Sequence, residues 1–232
     1  MFVPSNTITW SNIQSICSSH AAFQDASFYL APFISSLENW PTVDDLNRIT
    51  IALKPNFPWT FVVQERVPRR AKSRGQASLN GYVASIGTQG KIPVREKNTH
   101  DFLNCLSFLI FPESKLQLNL RHHFESPSGL KPGENRTRTQ DLLTIFDEGG
   151  VLRLTDADGY TSDLIFGHAI YEHVLEGKRI RAARLDLLVN EPLKGKIPLE
   201  FGHLADQAFA RWLQNKDHCL SANEFSSLWI DP

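Results

Sequence analysis

The segment from Asn98 to Phe124 constrains the fold more than any other part of the chain. It opens Asn98-Thr99-His100-Asp101, continues through the apolar run Cys105 to Phe111, and meets Pro112 directly afterwards. Asn98 or Thr99 can cap a helix that runs to about Ile110, because Asn and Thr side chains accept from the orphan N–H groups of a first turn. Pro112 ends that helix. It also fits the first turn of a second one through roughly Phe124, where its missing N–H costs nothing. Any fold this chain adopts must accommodate two helices meeting at a proline.

The remaining segments arrange themselves around that pair. Residues 10 to 48 read as short helices separated by Pro32 and by Asn39-Trp40-Pro41, with Thr42 as an N-cap and Asp45 in the first turn. Trp59 to Gln64 has the β-branched and aromatic content of a strand. Residues 65 to 77 form a polar basic loop, and a short helix is expected near Leu79 to Ser85. Residues 126 to 137 are a Ser-, Pro- and Gly-rich loop before a helix over Thr139 to Phe146, stopped by Gly149-Gly150. Val151 to Thr155 and Thr161 to Ile165 suit a hairpin turning at Asp156-Ala157-Asp158-Gly159. That turn begins like a calcium loop, but Gly falls at the fourth position and no Glu closes it. A helix over Gly167 to Glu176 with Gly177 as its C-cap follows, then a strand from Arg181 to Val189 and a helix from Leu204 to Leu213. No βαβ rhythm is present. The expected class is α+β: one helix-rich domain over residues 1–232 with a small, mainly antiparallel sheet, its motif-bearing core about 92–172.

Composition closes several routes. A chain of 232 residues with 41% hydrophobic residues can bury a sizeable core, roughly 70–75% of its unfolded surface. A formal net charge of −1 lacks the basic excess of a dedicated DNA-binding domain. Basic charge is local, at Arg66, Arg69, Arg70, Lys72 and Arg74 and again at Lys178, Arg179, Arg181 and Arg184. Cys17, Cys105 and Cys219 form no C-x-x-C pair, so neither a zinc ribbon nor a disulfide framework is indicated. The N-terminal residues lack a charged segment followed by a long apolar one, and the Cys105–Phe111 run is too short to span a bilayer. The expectation is a cytoplasmic protein with no membrane partner.

Polar residues of catalytic type interrupt the apolar segments. His100 and Asn104 are four apart on one helix face, with Asp101 beside them. His can ligate a metal or shuttle a proton, and Asp can orient it; equally, both can sit at a solvated helix N-terminus. Lys115 and Asn119 repeat the spacing on the second helix, where Lys115 could hold an anionic group or line an outer face. Arg138 has the planar fork that binds carboxylate or phosphate. Asp141, Asp147 and Glu148 are oxygen ligands suited to a divalent cation, or acids at a helix end. His168 and Glu172 are again four apart, a spacing that serves one metal or a plain hydrogen bond. No P-loop, nucleophile elbow, H-E-x-x-H or dinucleotide fingerprint occurs.

Four ordered blocks carry a resemblance. They are Ile92-Pro93-Val94-Arg95 followed by Asn98-Thr99-His100-Asp101 and Asn104; Phe111-Pro112 with Lys115 and Asn119; Arg138 to Gly150 with Asp141 and Phe146-Asp147-Glu148; and Phe166-Gly167-His168-Ala169 with Glu172. Over about 80 residues the chain resembles the DUF3025 family of bacterial proteins of unknown function. The resemblance marks Arg95, Asn98, His100, Asp101, Asn104, Lys115, Arg138, Asp141, Asp147, Glu148, His168 and Glu172 as pattern positions and implies no activity. The C-terminal part departs: Phe201-Gly202-His203-Leu204 stands where the family pattern has a Pro/Gly/Trp-rich tail.

Three functions fit these residues. One is a metal-assisted hydrolase or phosphoesterase, with metal ligands drawn from His100, Asp141, Asp147, Glu148, His168 and Glu172. Its catalytic groups would come from His100, Asp101, Asn104, Arg138 and Lys115, around a divalent metal. A second is a non-catalytic module that binds an anionic ligand, nucleic acid or a protein, the first two through Arg66, Arg69, Arg70, Lys72 and Arg74. The third is a buried polar network that fixes helix packing.

Overall fold

The computed structural model describes residues 8–64, 85–87, 89–125, 137–215, 218 and 224–231. The expected helix near Leu79 to Ser85 and the basic cluster Arg66 to Arg74 lie essentially outside the described residues, as does Cys219. Three helices open the chain: α1 (Trp10–Ser19), α2 (Ser27–Ser36) and α3 (Val43–Leu53). Thr42 caps α3 in a full capping box with Asp45. Pro32 does not separate helices as expected; it lies inside α2. It removes one backbone hydrogen bond, while Tyr29, Leu30 and Phe33 of the same helix are buried in the core. Core burial outweighs the local penalty.

Strands β1 (Thr60–Val63) and β2 (Lys91–Val94) pair in parallel. They lead to α4 (Thr99–Ile110) and α5 (Pro112–Phe124), the pair meeting at Pro112. The Asn98 side chain accepts from the Asp101 N–H and is the cap of α4. Then come α6 (Arg138–Gly149), β3 (Gly150–Thr155), β4 (Thr161–Ile165), α7 (His168–Leu175), β5 (Ile180–Leu188), α8 (Pro198–Gln214) and β6 (Ser226–Ile230). The main sheet has the order β4-β3-β5-β6. Its two outer pairings are antiparallel and the central β3–β5 pairing is parallel, reached through the β4 hairpin and the α7 crossover. The architecture is helix-rich α+β, with a mixed sheet.

The hairpin turn at Asp156 is tied by its own carboxylate, which accepts from the N–H groups of Asp158, Tyr160 and Leu193. Gly159 supplies the positive φ of 80° that this turn needs. Helix α4 is buried along most of its length, from Phe102 and Leu103 through Cys105 to Ile110. It packs against α7 and α2, while α5 lies along α8. Among the described residues, no helix is long and apolar enough to cross a membrane.

The N-terminus of α5 has no capping side chain of its own. Asp206, buried on α8, serves instead: its carboxylate accepts from Glu113 N at 3.0 Å and Ser114 N at 2.7 Å. The Ser114 hydroxyl donates to the Asp206 backbone carbonyl at 2.7 Å. A carboxylate at a helix start also meets the positive end of the dipole, so Asp206 fixes α5 to α8. Burial nonetheless pushes its pKa up to about 6.

Candidate metal centre

Three segments converge at the start of α4. His100 comes from its first turn, Glu148 from the last turn of α6, and His168 and Glu172 from α7. The joint between α6 and α7 is unusually close. A Cβ on Gly167 would lie 2.4 Å from Gly150 N and 2.5 Å from the Glu148 carbonyl oxygen, separations no side chain tolerates. The Phe166 and Gly167 N–H groups both donate to the Gly150 carbonyl, at 3.0 and 2.8 Å. Glycine at both positions is what lets His168 stand beside Glu148.

His100 Nε2 lies 3.1 Å from His168 Nε2. Glu148 Oε2 is 3.5 Å from His168 Nε2, and its Oε1 is 4.0 Å from His100 Nε2. One donor atom from each of the three residues falls within 4.8 Å of the others. Donors bound to a tetrahedral ion at 2.0–2.2 Å stand about 3.3–3.6 Å apart, so the three are spaced close to a ligand set. The other side of His100 is fixed as well: Nδ1 lies 3.1 Å from Glu172 Oε2. A carboxylate accepting from Nδ1–H leaves Nε2 as the lone-pair atom, the arrangement that orients metal-binding histidines.

The two rings are shifted in opposite directions. The hydrogen bond to Glu172 raises the pKa of His100 above its ordinary value, against burial and with help from Glu148. Burial, reinforced by the Lys115 charge, lowers that of His168 to about 3. His168 Nδ1 is buried without a hydrogen bond of good geometry; the Asp147 carbonyl is the backbone group that favours a proton on this ring. Burial also raises the pKa of Glu148. His168 is 2% exposed at its side chain, whereas His100 is 33% and Glu148 44% exposed, so the triad has a buried floor and an open side.

The other pattern residues have separate places. Asp101 forks onto Arg95, receiving its backbone N–H and two guanidinium bonds at 2.7–2.9 Å, and so braces the start of α4. Lys115 is fully buried: Nζ lies 2.5 Å from Asp147 Oδ1 and 3.1 Å from Asn104 Oδ1. Burial opposes ionisation of Asp147, yet the Lys115 charge holds its pKa below the ordinary value. Asp147 is thus turned toward Lys115 while Glu148 turns toward the histidines. Arg138 and Asp141 belong to the first turn of α6. At 1.5 Å per residue they stand about 15 and 10 Å along the axis from Glu148. The structure does not bring them to the triad. Lys178, Arg179 and Arg184 pair with Glu176, Asp231 and Asp186, and Arg181 donates to Ser227, so three of these four charges are paired locally.

Sequence reading singled out every member of the triad but missed Asp206. The available signal was an acid set among Leu204, Ala205, Ala208 and Phe209 on a helix that buries them.

No curated protein and no solved structure matches the chain. Residues 59–164 match a family model described as a protein of unknown function, DUF3025; His168 and Glu172 follow just after the matched stretch. The segment that carries His100, Asp101, Asn104, Lys115, Asp141, Asp147 and Glu148 belongs to the DUF3025 family.

Proposed function

We propose that this protein is a metal-assisted hydrolase in which His100, Glu148 and His168 hold one divalent ion and Glu172 orients His100. The convergence of three donor atoms within 4.8 Å carries the reading. Two histidines and one carboxylate with an open side are the donor set of catalytic zinc sites, and also of open-faced iron(II) sites. A bound ion of this kind lowers the pKa of water and polarises a carbonyl or phosphoryl oxygen. His168 supplies a neutral ligand from the buried floor. His100 is steered by Glu172, and Glu148 closes the third side from the helix end.

Arg138 and Lys115 do not serve as anion clamps in this reading, since one stands at the far end of α6 and the other is buried against Asp147. The reaction class we propose is hydrolysis, with phosphoesters as one substrate class and carboxylic esters or amides as the other. A purely structural network accounts for Lys115, Asp147 and Asn104. It does not account for two partly exposed groups, His100 and Glu148, aimed at the same point as a buried His168.

The test is turnover of chromogenic phosphoesters and carboxylic esters by metal-loaded protein and by Glu148→Gln. We expect metal-dependent hydrolysis of one class, lost in the variant. Metal binding with no hydrolysis of either class above that of the free ion would overturn the hydrolase reading.

A further inference from the structure

The Lys115 ammonium touches each of the three segments that carry the triad. Asn104, which accepts from it at 3.1 Å, lies one helical turn after His100 on α4. Asp147, which accepts at 2.5 Å, immediately precedes Glu148 on α6. The ring of Phe166, two residues before His168, lies 5.2 Å from Nζ, and that of Phe108 on α4 lies 5.0 Å away. The side chain has no solvent exposure, so it meets no substrate. Ser107 Oγ donates to the Phe166 carbonyl at 2.9 Å, which joins α4 to the same β4–α7 link.

We propose that Lys115 is a positioning residue that sets the spacing of His100, Glu148 and His168 by clamping their three segments around one buried ammonium. The proposal rests on the metal-site reading above. A lysine suits this role because its compact head directs donors toward several partners at once. Replacing it with an apolar side chain of similar length keeps the packing but releases Asn104 and Asp147. The direct polar link from α4 to α6 through the ammonium is then lost, and the apolar contacts that replace it do not fix side-chain direction.

The experiment compares cobalt(II) binding, by calorimetry and by visible absorption, in the EDTA-stripped wild type, in Lys115→Met/Asp147→Leu and in Asn104→Leu. The double variant leaves no carboxylate unpaired at this point, and cooperative unfolding reports whether it folds. Asn104→Leu keeps the Lys115–Asp147 pair and removes the bond from Lys115 to α4, so it carries the test in a less altered core. We expect wild type to bind one cobalt(II) ion. The folded double variant should bind at least tenfold more weakly with a changed spectrum, within the roughly 10–100-fold range for residues behind metal ligands. Asn104→Leu should weaken binding in the same direction by about tenfold. Either folded variant binding as tightly as wild type with an identical spectrum would overturn the clamp while leaving the metal site standing. A wild type that binds no cobalt(II) or zinc would overturn both.

Discussion

Asp206 offers a case in which two opposed effects can be weighed and then separated by pH. Its carboxylate satisfies two N–H groups at the start of α5. Hydrogen bonds to a charged group contribute about 1.5–3 kcal/mol each. Burial works the other way, raising the pKa from 3.8 to about 6, which costs about 3 kcal/mol of ionisation free energy at neutral pH. Between about pH 4 and 6 the folded chain holds a proton on Asp206 that the unfolded chain has released, so this group lowers stability as pH rises through the window. Asp206→Asn keeps one acceptor and cannot ionise. It forfeits one charge-assisted bond and escapes the ionisation cost, so near pH 7 it should be within about 1–2 kcal/mol of wild type. Near pH 4, where wild type no longer carries the ionisation cost, the variant should be the weaker by up to about 3 kcal/mol more. Urea unfolding of both proteins at pH 4 and 7 measures the difference directly. A gap that does not change with pH would refute the reasoning.

Two further substitutions probe the site's scaffold. Gly167→Ala should destabilise the fold by about 2 kcal/mol or more, since its methyl would press on Gly150 and on the Glu148 carbonyl. Its melting temperature should fall by at least about 4 °C, and an unchanged value would show that the α6–α7 joint gives way freely. Glu172→Gln should leave the fold intact but weaken metal binding about 10–100-fold by loosening the orientation of His100, measured by competition with a chromogenic chelator. Equal affinity would remove Glu172 from the account.

Much of the frame was legible because it depends on local chemistry. Asn98, Pro112, Thr42, Gly159 and Gly177 act through their own backbone or near neighbours, and the elements they bound lie where the sequence placed them. Elements made by distant partners were not. Strand β2 is four residues long and contains Pro93, too short and too proline-marked to be read as a strand, and exists through its pairing with β1. Strand β6 depends on β5 in the same way. Pro32 defeated the local rule because the helix around it is held by core burial. Within the site, spacing identified His100, Glu148, His168 and Glu172 as residues of the right chemistry. It could not sort Asp147 from Glu148, which are adjacent yet point to Lys115 and to the histidines respectively. Arg138 and Asp141 sit in the same pattern but at the far end of α6. Only the helix direction and the packing of α5 make those distinctions.

The decisive measurement is thermal unfolding of the EDTA-stripped protein against zinc, cobalt, manganese and magnesium, with His100→Ala beside it. A metal at a hundredfold excess over Kd stabilises the folded state by about 2.7 kcal/mol, which for a chain of this size is a rise of roughly 5–10 °C. The triad predicts a rise for a metal that accepts two histidines and a carboxylate, weaker toward acid pH as His100 takes up its proton, and absent in His100→Ala. A melting temperature indifferent to every metal, or a rise that survives in His100→Ala, would contradict it.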